Sequence, residues 1–572
     1  MATGPFDAQA TPQKRYATTR QRDAASADRR LWQGILCGLL VLGLVLFGQG
    51  SRARAAVAHA PQTGGTVIFG YTQLIDGLIP VLSRTSIMDD GAQVLLYRPL
   101  LWIGQNVKID YARSIATGIT VSNNRTVFTV TMRPNYKWSD GVPVTANDVA
   151  YCFNLIKTYG TRYGYYGIGG LPTAVKSFTV LSPTKFSITL IRPANPAYFE
   201  LNGLAQLRPL PAHAWKKYSI SYLSTHQTDL GVLSVVDGPY KLTKFVLNQY
   251  ARFDRNPMYS GHRSYLDRFI IQIFSSESAV FAALKTGAIQ IGNLGYTLYN
   301  AAGQLASLKT YDWWWFGFSY IEINYRNPAI SFMKDVKVRQ ALQLLINQPL
   351  MNQALYHGHA YSAYSPVPYK PATYLSPRAK ETWNAVHYDP ARAAAILDAD
   401  GWKLVNGVRQ KNGHKLAFTI GTSSEFDIGV RQAQIIQQDF LKAGIQVSLN
   451  VAPFSVILAE LGGRGTNWDA ISIGWIYYPN FYPLGDGLFG TGGGANFGAF
   501  SDPKLDATIK QAQTVPGNSG IYAYQNYAAA TMPALWLDEA ATIIKYQPNV
   551  HGVPDFFNPV WNFSPEYLWI SK

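Results

Sequence analysis

The chain offers few side chains whose type and spacing suit covalent or metal chemistry. Nine histidines are spread over 572 residues. The closest pair, His357 and His359 in YHGHAYSAYSP, is two apart beside Gly358, which is a loop pattern and not the one-turn spacing of a helical metal pair. Of the two cysteines, Cys37 lies in an apolar run without the small residue that a lipoprotein signal needs before it. Cys152 falls within a helical pattern as a small hydrophobe, so a disulfide framework is excluded. There is no G-x-S-x-G elbow, no H-E-x-x-H, no phosphate loop and no paired C-x-x-C. A secreted hydrolase would need a nucleophile and a base within hydrogen-bonding reach, and every local signature for one is missing. The run GTGGGANFGAF, Gly490–Phe500, imitates a dinucleotide loop, but Ala495 holds its third glycine position and no capped helix follows. It reads as a flexible surface loop. No cofactor, metal site or catalytic residue is expected. Aromatic surface is abundant instead: rings make up 13% of the chain, with 36 Tyr and 14 Trp, against 15% charged residues, which favours a ring-lined ligand surface. Within the run Trp313, Trp314, Trp315, strand spacing points mainly to core, with one face left for ligand.

The elements that must position such a surface alternate between strand and helix. TVFTVTM, Thr126–Met132, is β-branched and aromatic with near period-2 alternation, and Pro134 and Asn135 end it. SDGVPVT is then a turn, and Thr145 with Asp148 three residues later opens a helix that puts Val149, Phe153 and Ile156 on one face. GGTVIFGY, KFSITLI, DRFIIQIF, KLAFTIGT and IQVSLNV read as further strands. ESAVFAALKTG is a helix stopped by Gly287, and VRQAQIIQQDFLKAG is another helix. KDVKVRQALQLLINQPLMNQALYHG reads as a helix pair broken at Pro349, and YDPARAAAILDADGW as a helix with Asp389 and Pro390 as N-cap and first residue. The class is α/β. With no internal repeat and no long linker, the two halves are expected to pack together.

The N-terminus reads as an export signal. Arg15, Arg20, Arg22, Arg29 and Arg30 precede an uncharged apolar run from Ile35 to Phe47, followed by the small residues of SRARAAVAHA. Cleavage after Ala55 or Ala58 satisfies the small-x-small pattern. The rival reading is an uncleaved anchor, because no charge interrupts Leu31 to Ser51 and a spanning helix takes about 20 residues. Arg29 and Arg30 match a twin-arginine signal poorly. Either way the body lies outside the cytoplasm. The net charge is +16, but residues 1–55 carry eight Lys/Arg and three Asp/Glu, so the remainder holds 42 basic and 31 acidic residues, or +11. These charges are not in blocks and no nucleic-acid motif occurs, so no nucleic-acid partner is expected.

The segment MRPNYKWSDGVPVTANDVAYCF, Met132–Phe153, closely resembles the signature stretch of the family 5 extracellular solute-binding proteins, the dipeptide and oligopeptide class of binding subunits for ABC importers. Four other stretches are similar to that family in the same order: DGPYKLTKF with FDRNPMY from Asp237 to Tyr259, ALKTGAIQIG from Ala283, KDVKVRQAL from Lys334, and WDAISIGW ending at Trp475. Gln290 departs from the pattern, standing where the family usually has an acid. The resemblance implies a two-lobed clamp of the type II periplasmic-binding-protein kind with an extra subdomain inserted in the first lobe. It would be divided as export signal 1–58, first lobe 59–101, inserted middle 102–214, first lobe continued 215–310, second lobe 311–532 and a return to the first lobe at 533–572. It further implies a monomer that binds a small solute between the lobes and docks on ABC permease subunits with their ATPases. The signature itself is then scaffold of the insertion.

The site residues follow from the same resemblance. Gly474, Trp475, Tyr477 and Tyr478 in GWIYYPNFY are the expected ligand-reaching segment, with core packing as the other reading of Trp475. Tyr320 in GFSYIEIN lies on the facing strand, and Ser83, Arg84 and Thr85 in the loop after the first strand border the cleft. Peptide-binding members place an aspartate three residues after that tryptophan to pair with the peptide amine, and here Tyr478 stands there. Asp486 is the nearest substitute along the loop. Peptides remain the default solute; sugars or glycosides, which stack on Tyr and Trp faces, and other amines, metal chelates or opine-like solutes are the alternatives. A surface sensor or adhesin that has lost its permease is a further one. The protein exported from its native host is expected to begin between Ala56 and Pro61. Intact-mass measurement checks this, and a mass that retains residues 1–55 would show an anchor instead.

Overall fold

Val67, Phe69 and Tyr71 of TVIFGY are buried, and Ile68 partly so, because their strand lies in the middle of a sheet and not at its edge. The computed structural model describes residues 60–572 apart from 83–86, 304, 380 and 382–386. The export segment 1–58 and the candidate residues Ser83, Arg84 and Thr85 lie outside the described residues. The strands, in chain order, are β1 (Thr66–Tyr71), β2 (Ala116–Val121), β3 (Val127–Met132), β4 (Val175–Ser182), β5 (Lys185–Leu190), β6 (Tyr240–Val246), β7 (Tyr250–Arg255), β8 (Arg268–Ile273), β9 (Ile291–Leu294), β10 (Lys309–Trp313) and β11 (Gly317–Ile323). They continue with β12 (Ala360–Ser362), β13 (Lys403–Val405), β14 (Val408–Lys411), β15 (His414–Lys415), β16 (Ala417–Ser423), β17 (Gln446–Ala452), β18 (Ala470–Ile476), β19 (Leu535–Trp536), β20 (Asp538–Ala540) and β21 (Thr542–Tyr546).

Two sheets organise the molecule. A seven-stranded sheet runs β10-β21-β9-β1-β8-β7-β6, and a five-stranded sheet runs β17-β16-β18-β11-β19. β1 pairs in parallel with both β8 and β9, as does β16 with β17 and β18, whereas β11 lies antiparallel to β18. The chain therefore crosses between the sheets twice, after Trp313 and after Trp536. A separate four-stranded antiparallel sheet, β2-β3-β5-β4, carries the helix Ala146–Tyr159. At that helix's start the Asp148 carboxylate accepts from the Thr145 backbone N–H at 2.8 Å. Val149, Cys152, Phe153 and Ile156 are buried, and Phe153 stacks on Phe178, which stacks in turn on Phe186. Burial pushes the Cys152 thiol up to about 11, so it stays protonated and unreactive. Among the described residues no helix is long and apolar enough to cross a membrane.

Two local expectations need revision. The helix pair does not break at Pro349: the first helix ends at Leu344, and the second runs Gln348–Ala354 with Asn347 as N-cap, its side chain accepting from the Leu350 N–H at 3.1 Å. Pro349 thus sits in a first turn, where its missing N–H costs no hydrogen bond. The glycine-rich run Gly490–Phe500 is a packed loop, not a flexible one. Asn496 is buried, donates to the carbonyls of Gly490 and Phe500 at 2.9 and 2.8 Å, and accepts from the Phe500 N–H. The Gly498 N–H donates to Glu322 at 2.7 Å, and a Cβ there would lie 1.9 Å from the Ile323 carbonyl oxygen.

Glu322 on β11, and Asp538 and Glu539 on β20, are buried carboxyls whose affinity for protons is raised. Burial pushes Glu322 and Glu539 up to about 8 and Asp538 up to about 6. A carboxyl raised in the folded state contributes its full stability below the unfolded value, 4.5 for Glu322, and that contribution is lost as pH rises toward about 8. The melting temperature is therefore expected to fall between about pH 5 and about pH 8. Glu322→Gln, which keeps an acceptor for the Gly498 N–H, should flatten part of that fall in thermal denaturation. An unchanged slope in the variant would exclude Glu322 as a cause.

Candidate functional site

The register of β11 against β18 decides which expected site residues share a face. Phe318 pairs with Trp475, Ser319 with Gly474 and Tyr320 with Ile473. Directly paired residues project to the same side of a sheet, so Trp475, Phe318 and Tyr320 share one face and Gly474 and Ser319 the other. Tyr320 is 1% exposed, with its ring against Phe318 and Phe489, and Tyr477 is fully buried with its hydroxyl donating to the Pro366 carbonyl. The structure places both in the core. Trp475 is half-buried against the same core, and its indole N–H is buried without a hydrogen-bond partner. Gly474 is exposed, and a Cβ there would come no nearer than 4.0 Å to any neighbour. In the tryptophan run, Trp313 is core and donates to the Asn558 carbonyl, whereas Trp314 and Trp315 are only partly buried.

Beyond β18 the chain carries Tyr478 away from its sheet toward residues from the first 210 positions. Its ring meets Tyr165 edge-on, centroids 5.7 Å apart, and Phe481 at 5.5 Å. Its phenol interacts with the Asp90 carboxylate and the Arg208 guanidinium. Asp90 lies in the first turn of the helix Ile87–Leu96, and its Oδ2 also accepts from the Tyr165 hydroxyl at 3.0 Å. Burial pushes Asp90 up to about 7, opposed by the Arg208 charge and by the phenol hydrogen bonds. The Tyr478 phenol is held well above its usual range by burial and then by the Asp90 charge, so it acts as a neutral donor. Arg208 is 7% exposed, and its Nη1 has no partner.

Asp486, the sequence-level substitute for the missing aspartate, is engaged elsewhere: its Oδ2 accepts from the Tyr198 hydroxyl and the Gln513 amide, each at 3.0 Å. A cavity of about 480 Å³ under Trp102–Arg113 is a weaker candidate, because its charges are already paired, Arg113 with Asp110 at 3.7 Å and with Asp555 at 3.3 Å. Sequence reasoning missed Asp90 and Arg208. Asp90 resembles an ordinary first-turn acid. The one available signal for Arg208 was a lone cation inside the apolar run LRPLPAHAW.

A family model described as bacterial extracellular solute-binding proteins, family 5 middle, matches residues 110–496. The chain is similar to the oligopeptide-binding protein AppA of Bacillus subtilis, 24% identical over 91% of this chain and 94% of that one. It is also similar to the nickel-binding periplasmic protein of Escherichia coli, 26% identical over 63% and 66% of the two chains. Among solved structures, Bacillus subtilis AppA in complex with a nonapeptide superposes with a TM-score of 0.70 at 22% identity, covering 90% of this chain and 100% of that one. NikA of Brucella suis in complex with Fe(III)-EDTA gives 0.74 at 20% identity, covering 89% and 100%. The fold is thus the two-lobed α/β clamp of the type II periplasmic binding proteins, as expected from the sequence.

The Tyr165 hydrogen bond stabilises the ionised form of Asp90, so removing it should raise that carboxyl further. Tyr165→Phe is expected to move the Asp90 midpoint above about 7 in a carboxyl-carbon NMR titration. A midpoint that does not move would show that the phenol contributes nothing to the ionised state.

Proposed function

The chain belongs to the bacterial extracellular solute-binding proteins of family 5, and on that premise we propose that it captures a small solute, of the peptide class by default, between its lobes and delivers it to a membrane permease. It is a solute-binding component of the ABC-transporter type; such proteins are extracytoplasmic and work with permease and ATPase subunits. Its relatives are substrate-binding proteins and not enzymes. The observation that carries the reading is the segment after β18. An exposed Gly474 with open space and a half-buried Trp475 lead to Tyr478, which meets the helix Ile87–Leu96 from the other half of the chain. In this reading the first lobe holds the seven-stranded sheet and the insertion 102–214, the second lobe lies between the crossings after Trp313 and Trp536, and the remaining C-terminal segment returns to the first lobe. Closure then swings the lobes about the two crossings between sheets.

A second reading, a sugar or a metal chelate in the same cleft, is supported by the partly buried rings of Trp475 and Tyr478 and by the nickel-binding relative. A thermal-shift screen against peptide, sugar and chelate pools separates the two, since ligand at about 100 times its Kd adds about 2.7 kcal/mol. Trp475→Ala should weaken binding of whichever pool responds by about 1 to 3 kcal/mol while leaving the circular dichroism unchanged. Unaltered affinity in calorimetry, or loss of the fold, would return Trp475 to a packing role.

A further inference from the structure

The helix Pro503–Thr514 leaves its last turn of carbonyls without intrahelical donors, as helices do. That of Gln511 is met locally, by the Val515 N–H at 2.8 Å. The next three are met from the insertion. Ala512 accepts from the Asn195 side-chain amide at 2.9 Å, Gln513 from the Asn195 backbone N–H at 2.7 Å, and Thr514 from Arg125 Nη1 at 2.7 Å. A guanidinium at this position also complements the negative end of the helix dipole. Beside it, Asn202 holds both backbone groups of Tyr482, accepting the N–H at 2.7 Å and donating to the carbonyl at 2.9 Å. Asn195 and Asn202 are fully buried, so these bonds are shielded from water. Tyr482 ends the segment GWIYYPNFY that the family pattern assigns to the solute.

We propose that the insertion is the latch of the clamp: Arg125 and Asn195 supply from one lobe the C-terminal cap that a helix of the other lobe lacks, while Asn202 fixes the end of the solute-reaching segment as the lobes close. That role presupposes the two-lobed reading and goes beyond it, because it assigns closure to three named side chains and not to the solute alone. The donors are held ready within the insertion. Asn195 Oδ1 accepts from the Ala197 N–H at 3.2 Å, and the Ala194 N–H donates to the Arg125 carbonyl at 3.2 Å, which keeps Arg125 and Asn195 side by side. Water can replace these partners when the lobes separate, so the latch is reversible. Removing one donor while the junction stays shut strands a carbonyl instead, and that favours the open form.

Amide hydrogen exchange on the full, ligand-free chain tests this, with Tyr482 and Asn195 as reporters, since each donates its N–H across the junction. In the unaltered protein both should exchange at one common rate, faster than Phe269 and Ile271 inside the seven-stranded sheet, because a single opening frees both. The Arg125 side chain bonds to neither reporter. Arg125→Ala should nonetheless speed both by about tenfold or more and leave Phe269 and Ile271 unchanged. Arg125→Lys, which keeps a cation for the Thr514 carbonyl, should restore most of the protection. Reporter rates unchanged in Arg125→Ala would overturn the latch and leave the two-lobed reading standing. Acceleration of Phe269 and Ile271 by the same factor would overturn it too, as a loss of stability of the whole fold. Reporters that exchange only together with Phe269 and Ile271 in the unaltered protein would mean that the lobes never separate short of unfolding, and the clamp reading would fall with the latch.

Discussion

Arg98 and Glu566 form an ion pair 3.1 Å apart whose side chains are 1% and 0% exposed, and the position of the candidate site depends on it. Water is excluded from both groups, so losing either partner would strand a buried charge at a cost of about 3 to 5 kcal/mol. Glu566 belongs to the C-terminal segment, and Arg98 lies just past the helix Ile87–Leu96. The Arg98 backbone N–H donates to Asp237 at 2.9 Å, and the guanidinium covers the Trp102 ring at 3.7 Å. Gly238 completes the clamp, because a Cβ there would lie 2.3 Å from the Leu95 carbonyl oxygen. Segments from both ends and the middle of the chain thus hold the far end of the helix whose first turn presents Asp90. The DGPY stretch that resembled a family marker in the sequence has a packing reason: its aspartate and glycine are the ones this close approach admits.

Asp486 and Asp90 are both held by donors of the fold. Asp486 sits between Tyr198 and Gln513, donors fixed within the fold. Asp90 shares its cluster with a guanidinium that keeps one nitrogen unpartnered. The buried carboxyls Glu322 and Glu539 belong to the frame too: Glu322 accepts the Gly498 N–H, and Glu539 accepts those of Tyr369 and Lys370, each holding a loop in place.

Where the chain passes between its sheets, polar contacts tie the crossings. His359 Nδ1 lies 2.8 Å from Asp312 on β10, and its Nε2 lies 3.0 Å from the Tyr299 hydroxyl. Trp315 donates to the Thr542 hydroxyl at 3.0 Å, joining the segment after β10 to the start of β21. The histidine pair that looked like a bare loop is thus part of the seam between β10 and the strand β12, and Trp315 pins the crossing beside it.

Much of the local structure was legible because it depends on neighbours in sequence. Thr145 with Asp148, Asp389 with Pro390, and Gly287 after its helix mark element ends through bonds made within a few residues. Alternating burial in β3 and β8 follows from the period of the side chains. The family pattern pointed to the segment after Gly474 and to the absent aspartate at Tyr478. It could not show that Tyr320 and Tyr477 are core, because burial on a central strand depends on what packs over it from elsewhere. Nor did anything local distinguish Asp90 from a first-turn acid, and for Arg208 only its place in an apolar run pointed to burial. Local patterning therefore determined which strands and helices form. Tertiary packing alone decided which charges meet, because strand order and the double crossing between sheets bring together positions 90, 165, 208 and 478, whose contact no short-range pattern encodes.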